Sequence, residues 1–366
     1  MSKGEKDLQH LGLRILTWYA SNQRELPWRQ TRNPYHIWVS EVMLQQTQVE
    51  TVIPYYNRFL SRFPTVEVLA SAPLDNVLKV WENMGYYARA RNLHAAAGEV
   101  AKRFGGKVPN TWDELISLPG IGSYTAGAIL SIAFCQPVPA VDANVRRVIA
   151  RIFAIDQPLE QGRTQRRIAD LTCKLLPKDH PGQFNQALMD VGADICKPHA
   201  PKCTMCPVCS SCVANQRDLQ HILPIMKKRA PIPHNHVTAG IITDARRRIL
   251  VVRRPDRGLL GGLWKFPGGL QEPDERLTRC LQRNVREEVG IQIRVGRPIV
   301  SVNHAYTHFR ITLHAFQGTH RAGEPQALGC SDWRWTTFHQ LNKLAFSRAD
   351  RKIIEVLTSE MDQAAA

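Results

Sequence analysis

Several absences in this chain narrow its class. No run of about 18 uninterrupted apolar residues occurs in its 366 residues, so a membrane span is not expected. No apolar stretch follows the first charges of the opening MSKGEKDLQH, so a secretory signal peptide is not expected either. The chain has no repeat of fixed period and no low-complexity tract. Acidic residues are short against basic ones, 32 to 48, which leaves a net charge of +16. The cysteines are not spread and paired as a secreted disulfide framework needs. There are nine, an odd number, and five of them crowd between Cys196 and Cys212. The expectation is a soluble, cytoplasmic, monomeric protein in a reducing compartment.

The basic excess fits a polyanionic partner, most often nucleic acid. Residues 1–222 carry 25 bases and 19 acids, and residues 223–366 carry 23 and 13, so the shorter part is the more basic. At about 150 residues per domain, the length favours two domains. Residues 1–195 read as helical: RIADLTCKLLP and GQFNQALMDVGADIC have apolar spacing near 3.6, and alternating strand patterns are scarce. Thr111-Trp-Asp-Glu114 reads as a capping box opening a helix that stops before Pro119, with a second helix in the Gly122–Phe134 run. Residues 223–235, LPIMKKRAPIPHN, read as a basic, Pro-rich linker. Beyond it VTAGIITDA, RRILVVRR, RPIVSVNHAY and RITLHAF read as strands, with LTRCLQRNVREEVG a helix among them. The expected architecture is therefore an all-α unit over residues 1–222, the linker over 223–235, and an α/β unit over 236–366.

Three features of the helical part bear chemistry. The first is Cys196-x6-Cys203-x2-Cys206-x5-Cys212, with Cys209 inside it. Four thiolates satisfy Zn²⁺ or a [4Fe–4S] cluster, and the spacing leaves both open. The second is Leu118-Pro-Gly-Ile-Gly-Ser-Tyr-Thr-Ala126, which joins two helical segments. Gly120 and Gly122 allow positive φ and close backbone approach, so this turn can aim backbone N–H groups at a phosphate or serve merely as a tight corner. The third is Asp142, in Val141-Asp142-Ala-Asn144, at the start of a helical run. It is an N-cap by position, and near a phosphate-binding turn its carboxylate can face a developing sugar cation.

Together these motifs resemble the helix-hairpin-helix DNA glycosylases that carry an iron–sulfur cluster. Three further stretches resemble the adenine DNA glycosylase (MutY-type) branch: Arg24-Glu-Leu-Pro-Trp-Arg29, Trp38-Val-Ser-Glu41-Val-Met-Leu-Gln-Gln-Thr-Gln-Val49, and Gly85-Tyr-Tyr-Ala-Arg-Ala-Arg-Asn92. The resemblance implies a monofunctional glycosylase that acts in duplex DNA on adenine opposite 8-oxoguanine or guanine. It also implies a [4Fe–4S] cluster on Cys196, Cys203, Cys206 and Cys212. Where endonuclease III-like relatives have a Schiff-base lysine, this chain has Tyr124, so no lyase step is expected there. Protonating adenine needs a carboxylic acid with a raised pKa, and the resemblance points to Glu41. A helical wheel puts Val39, Val42, Met43 and Val49 on one face and Glu41, Leu44, Gln45 and Gln48 on the other. By the same resemblance, Asp142 stabilises the oxocarbenium-like sugar while Tyr124 and Asn144 support it. Leu26, Trp28 and Arg29 line the base pocket, and Arg24 binds substrate or DNA. Gln46, Leu44, Thr47 and Tyr86 probe or wedge the duplex as the base flips.

In the C-terminal part, Gly269-x5-Glu275-x7-Arg283-Asn284-Val285-Arg286-Glu287-Glu288-Val289-Gly290-Ile291 resembles a Nudix box, with Asn284 at one acidic position. Pyrophosphate hydrolysis needs several carboxylates around Mg²⁺, so hydrolysis here is a minor expectation. The other expectation is a MutT-like domain that reads 8-oxoguanine with Tyr306, Thr307 and His308. Three rival readings stand beside these: a glycosylase/lyase, a nucleotide-pool Nudix hydrolase and a zinc-bound DNA-binding protein.

Overall fold

In the computed structural model, residues 3–226, 231–306 and 308–365 are described. The chain forms two compact units, Met1–Ser71 with Asn92–Arg229, and Ala72–Arg91 with Ala230–Ala366.

The helical elements run α1 (Lys3–Asn22), a 3₁₀ turn at Pro27–Arg29, α2 (Pro34–Leu44), α3 (Val49–Arg62), α4 (Val66–Ser71), α5 (Leu74–Val80), α6 (Ala88–Phe104), α7 (Trp112–Ile116), α8 (Ser123–Ile132), α9 (Ala143–Ile152), α10 (Gly162–Leu175), α11 (Pro181–Asp190) and α12 (Val213–Gln216). The short helix α2 is set by its start. Asn33 caps it by accepting the amides of Tyr35 and His36, and Pro34 occupies the first turn. Its residues from Ile37 to Met43 are all buried, so it is a core helix with no solvent face. This corrects the wheel: the helix ends at Leu44, and Val49 belongs to α3. Helices α7 and α8 form the hairpin as expected. Thr111, however, sits at the N-cap without bonding a backbone amide, and its hydroxyl goes to Glu114 Oε2 at 2.6 Å instead. Gly120 does take positive φ, +76°, and a Cβ there would meet Asn92 Cβ at 2.6 Å. Gly122 has φ −98° and needs no such freedom.

The second unit adds β1 (His234–Thr243), β2 (Ile249–Arg253), β3 (Trp264–Lys265), α13 (Leu277–Val289), β4 (Gln292–Ala305), β5 (Arg310–Ala322), β6 (Asp332–Thr336), α14 (Phe338–Leu341) and α15 (Arg348–Ala365). The sheet order is β3-β2-β1-β5-β4, with β6 also on β2. β1 and β5 are parallel, and β4 and β5 antiparallel. Alternate residues bury on opposite faces. Ile241, Ile249 and Val251 pack with Phe346, Ile353 and Ile354, whereas Ile242, Leu250 and Val252 pack with Leu281, Val285 and Val289 of α13. The fold is thus an all-α helix-hairpin-helix unit with an α/β Nudix-type unit.

The division differs from the expected one in two places. Residues 72–91 pack with the C-terminal unit: Asp75 pairs with Arg253 at 3.1 Å, Glu82 with Arg351 at 2.6 Å, and Arg91 donates to Gly261 O at 2.6 Å. The linker is also shorter than expected. Leu223 O still accepts from Arg151, and β1 already begins at His234, while residues 227–230 lie outside the described residues.

Candidate active site

Glu41 sits on the buried helix α2 with 4% of its surface exposed. Helix α8 brings Tyr124 to it, and the Tyr124 hydroxyl donates to Glu41 Oε2. Burial pushes the Glu41 carboxyl up to about 7. The Tyr124 hydrogen bond and Arg29 pull against that shift, and Asp142 adds to it. A carboxyl held there is half protonated near neutrality and can give up a proton. Asp142 caps α9 by accepting from Val145 N at 2.6 Å, and burial raises its pKa too.

These groups share one open cleft within the helical unit. Asn144, Gly120 and Gly122 line it, as do Leu44, Gln46 and Thr47 at the α2–α3 corner. Gln46 is exposed there with φ +57°, a left-handed conformation that forces the chain to turn out of α2. Arg24, Leu26, Trp28 and Arg29 form another wall. Leu26 and Trp28 are each 6% exposed, and Trp28 packs edge-on against Tyr56 at 5.3 Å, so they are core residues that also face the cleft.

Two residues that line the cleft or hold its wall escaped sequence reading. Asp190, at the end of α11, is fully buried. It accepts from Arg24 Nε at 2.8 Å and Nη2 at 2.5 Å, and from Arg29 at 2.7 and 2.9 Å. Gln186, one turn earlier, lines the cleft and accepts from Tyr19 OH at 3.2 Å. The signal was present in GQFNQALMDVGADIC as polar residues interrupting an apolar helix.

Other expected residues lie elsewhere. Tyr86 belongs to the second unit. It is exposed, with φ +49°, and faces the Arg89 guanidinium at 5.2 Å. Tyr306 also lies in the second unit. It is half-buried, with its ring against Phe309 at 4.8 Å and His304 at 4.6 Å. His308 is exposed, and Thr307 lies outside the described residues.

After Asp190 the chain makes a π-helical turn, Val191–Ile195, that delivers Cys196. Cys196, Cys203, Cys206, Cys209 and Cys212 all line one cavity, walled also by apolar residues such as Val148, Ile152 and Val208 and by Arg151 and Asn215. Arg151 Nη1 donates to Cys196 Sγ at 3.3 Å, and Arg147 Nε to Cys196 O at 2.7 Å. Burial and neighbouring thiols push Cys206 up to about 12, so a thiolate set here calls for a cationic centre among the sulfurs. Among the described residues, no three His, Cys, Asp or Glu side chains close on a single metal ion. Asn215 Nδ2 donates to Cys209 Sγ at 3.3 Å, which gives the fifth cysteine a partner of its own. Arg147 also ties the two regions together, donating to Asn144 Oδ1 and to Gly192 O, both at 2.8 Å.

Comparison with known proteins agrees with both units. Residues 39–172 match the HhH-GPD superfamily of base excision DNA repair proteins, and residues 238–356 match the NUDIX domain. The chain is 35% identical to adenine DNA glycosylase of Homo sapiens, over 93% of this chain and 73% of that protein. It is 38% identical to adenine DNA glycosylase of Buchnera aphidicola subsp. Baizongia pistaciae, over 74% of this chain and 76% of that protein. Among solved structures it resembles a thermostable thymine-DNA glycosylase at 30% identity and a TM-score of 0.54, covering 59% of this chain and all of that one.

Proposed function

The chain belongs to the adenine DNA glycosylases of the helix-hairpin-helix base excision repair superfamily, and from that premise we propose that it removes adenine mispaired with 8-oxoguanine, or with guanine, from duplex DNA. The observation that carries the chemistry is the buried Glu41, hydrogen-bonded by Tyr124, in one cleft with Asp142. Glu41 is the general acid that protonates adenine and makes it a better leaving group. Asp142 stabilises the sugar as positive charge develops on it. Tyr124 holds the acid, and Asn144, braced by Arg147, supports the sugar side. Arg24, Leu26, Trp28 and Arg29 hold the base. Gly120 and Gly122 present the hairpin backbone to phosphate. Leu44, Gln46, Thr47 and Tyr86 fill or probe the gap left by the flipped base.

Cys196, Cys203, Cys206 and Cys212 would hold a [4Fe–4S] cluster. All four line one cavity, and membership of the helix-hairpin-helix repair superfamily supports a cluster there. When bound, the cluster braces the basic loop that carries Lys197 and Lys202. In the C-terminal unit, Tyr306 and His308, with Thr307 between them, read the 8-oxoguanine. The reduced thiols fit a cytoplasmic setting.

The test is single-turnover cleavage of labelled duplex carrying A opposite 8-oxoguanine, with and without hot alkali. Strand breaks that appear only after alkali are expected, because no lysine stands at Tyr124. Breaks without alkali would assign a lyase instead. Tight binding with no breaks under either condition would reduce the chain to a binding module.

A further inference from the structure

A Nudix box that hydrolyses pyrophosphate offers its carboxylates to a divalent cation. In the fold, each of its acids faces a cation of the protein itself. Arg283 takes Glu275 through two bonds, at 2.9 and 2.8 Å, and reaches Glu287 at 3.2 Å. Asn284 brings no charge, and its amide is used on Cys280 O at 2.9 Å. Glu288 is largely buried and pairs with Lys265 Nζ at 2.8 Å. The same ammonium donates to Gly268 O at 2.5 Å, and Gly268 N returns a bond to Glu288 Oε2 at 3.2 Å. Gly268 has φ +143°, and a Cβ there would meet Thr238 O at 2.2 Å, so only glycine lets the carbonyl stand at this point.

A carboxylate and a backbone carbonyl aimed at one buried position are ligands for a hard cation such as Mg²⁺ or Mn²⁺. Here that position holds the Lys265 ammonium. Lys265 is 8% exposed, with Arg254 and Asp350 the other charged groups nearest to it. A divalent ion brought to the same oxygens would meet a positive charge in a medium that screens poorly. The residues present therefore do not fit the metal that the box implies. We propose that Lys265 replaces the divalent cation: the box is a metal-independent structural element, and it conceals a cation site that opens when the ammonium is removed.

The experiment titrates Mn²⁺ into the full chain without DNA, followed by calorimetry and by thermal melting. The wild type is expected to show no Mn²⁺ binding that Glu288→Gln alters, and no shift of its melting temperature with Mn²⁺. Lys265→Met is expected to gain one Mn²⁺ site, at least about tenfold tighter than anything in the wild type. Mn²⁺ is also expected to raise the melting temperature of Lys265→Met, and adding Glu288→Gln is expected to abolish both effects. Should Lys265→Met fold only when Mn²⁺ is present, that rescue supports the proposal equally. A wild-type Mn²⁺ site that depends on Glu288 would overturn it. So would the absence of any gained site in both Lys265→Met and the polar variant Lys265→Gln.

Discussion

The Tyr124 hydroxyl donates to Glu41 Oε2 across two helices, α8 and α2, that are far apart in sequence. The bond fixes the carboxyl in the cleft and leaves its other oxygen, Oε1, to meet a base. If Glu41 supplies the proton, Glu41→Gln keeps the shape and loses the acid. Excision of adenine by Glu41→Gln is expected to fall by at least about a thousandfold. Gel-shift affinity for the mispaired duplex should stay within about threefold of wild type, since a lost acid affects only the transition state. Normal single-turnover excision by the variant would remove Glu41 from the mechanism.

The same bond sets a pH limb. Glu41 stands at about 7, so the single-turnover rate is expected to fall as pH rises above about 7 and the proton is lost. The Tyr124 hydrogen bond favours the charged carboxylate and lowers this value. Tyr124→Phe removes it, so the alkaline limb should move to higher pH, by about half a unit to one unit. A limb that stays in place, or moves down, would separate Tyr124 from the ionisation of Glu41.

Burial of Glu41 also has a cost that stability measurements can read. Its folded pKa lies above the ordinary carboxyl value, so the folded chain binds the extra proton. Stability then falls as pH rises from about 4.5 to about 7, and the full penalty remains above that range. Glu41→Gln escapes the penalty and should be the more stable protein at pH 8, by up to about 3 kcal/mol. The advantage should shrink toward pH 5. Parallel stability curves for the two proteins across this range would contradict the buried-acid account.

How much of this was legible follows from which signals are local. The hairpin, the Asp142 cap and the cysteine spacing are encoded within short stretches, and each stands where the spacing put it. The end of α2 was legible only in part. A wheel carried on through Gln46 puts it on the apolar face, against the duplex-probing role that the resemblance implies, and that clash signals an early end. The helix does stop at Leu44, and Gln46 turns out with φ +57°. Asp190 looked like one acid in an apolar helix. Its role depends on Arg24 and Arg29, some 160 residues away in sequence. The Nudix box was legible as a pattern, and Asn284 already told against hydrolysis, but the pairing of Glu288 with Lys265 was not legible, because Lys265 lies outside the motif. Residues 72–91 read as part of the helical region because periodicity reports a helix, not the unit against which it packs.

Asp190 gives a prediction of its own. Its carboxylate is the counter-charge of two guanidiniums, and Arg29 is only a tenth exposed. Asp190→Asn leaves that charge largely uncompensated and is expected to cost about 3 kcal/mol of stability. It should also slow excision, because Arg24 and Arg29 flank the Leu26–Trp28 wall. A melting temperature within about one degree of wild type would show that the arginines find other partners.

Arg151 links the cysteine loop to the helix that carries Asp142. The side chain is buried and donates to Lys197 O at 2.7 Å, Pro198 O at 3.0 Å and Leu223 O at 2.8 Å, besides Cys196 Sγ at 3.3 Å. Arg151→Met fills most of the volume but strands three carbonyls, each worth about 1–3 kcal/mol when left without a donor. The loop from Cys196 to Cys212 should then loosen, with faster thiol labelling and weaker visible absorbance from any bound cluster. Because α9 starts at the Asp142 cap, excision should fall more than duplex affinity does. Arg151→Lys keeps the charge but cannot reach four acceptors from one ammonium, so only partial recovery is expected. If Arg151→Met labels no faster than wild type and keeps its colour, the loop is held by the cysteines alone, and the guanidinium is a passenger.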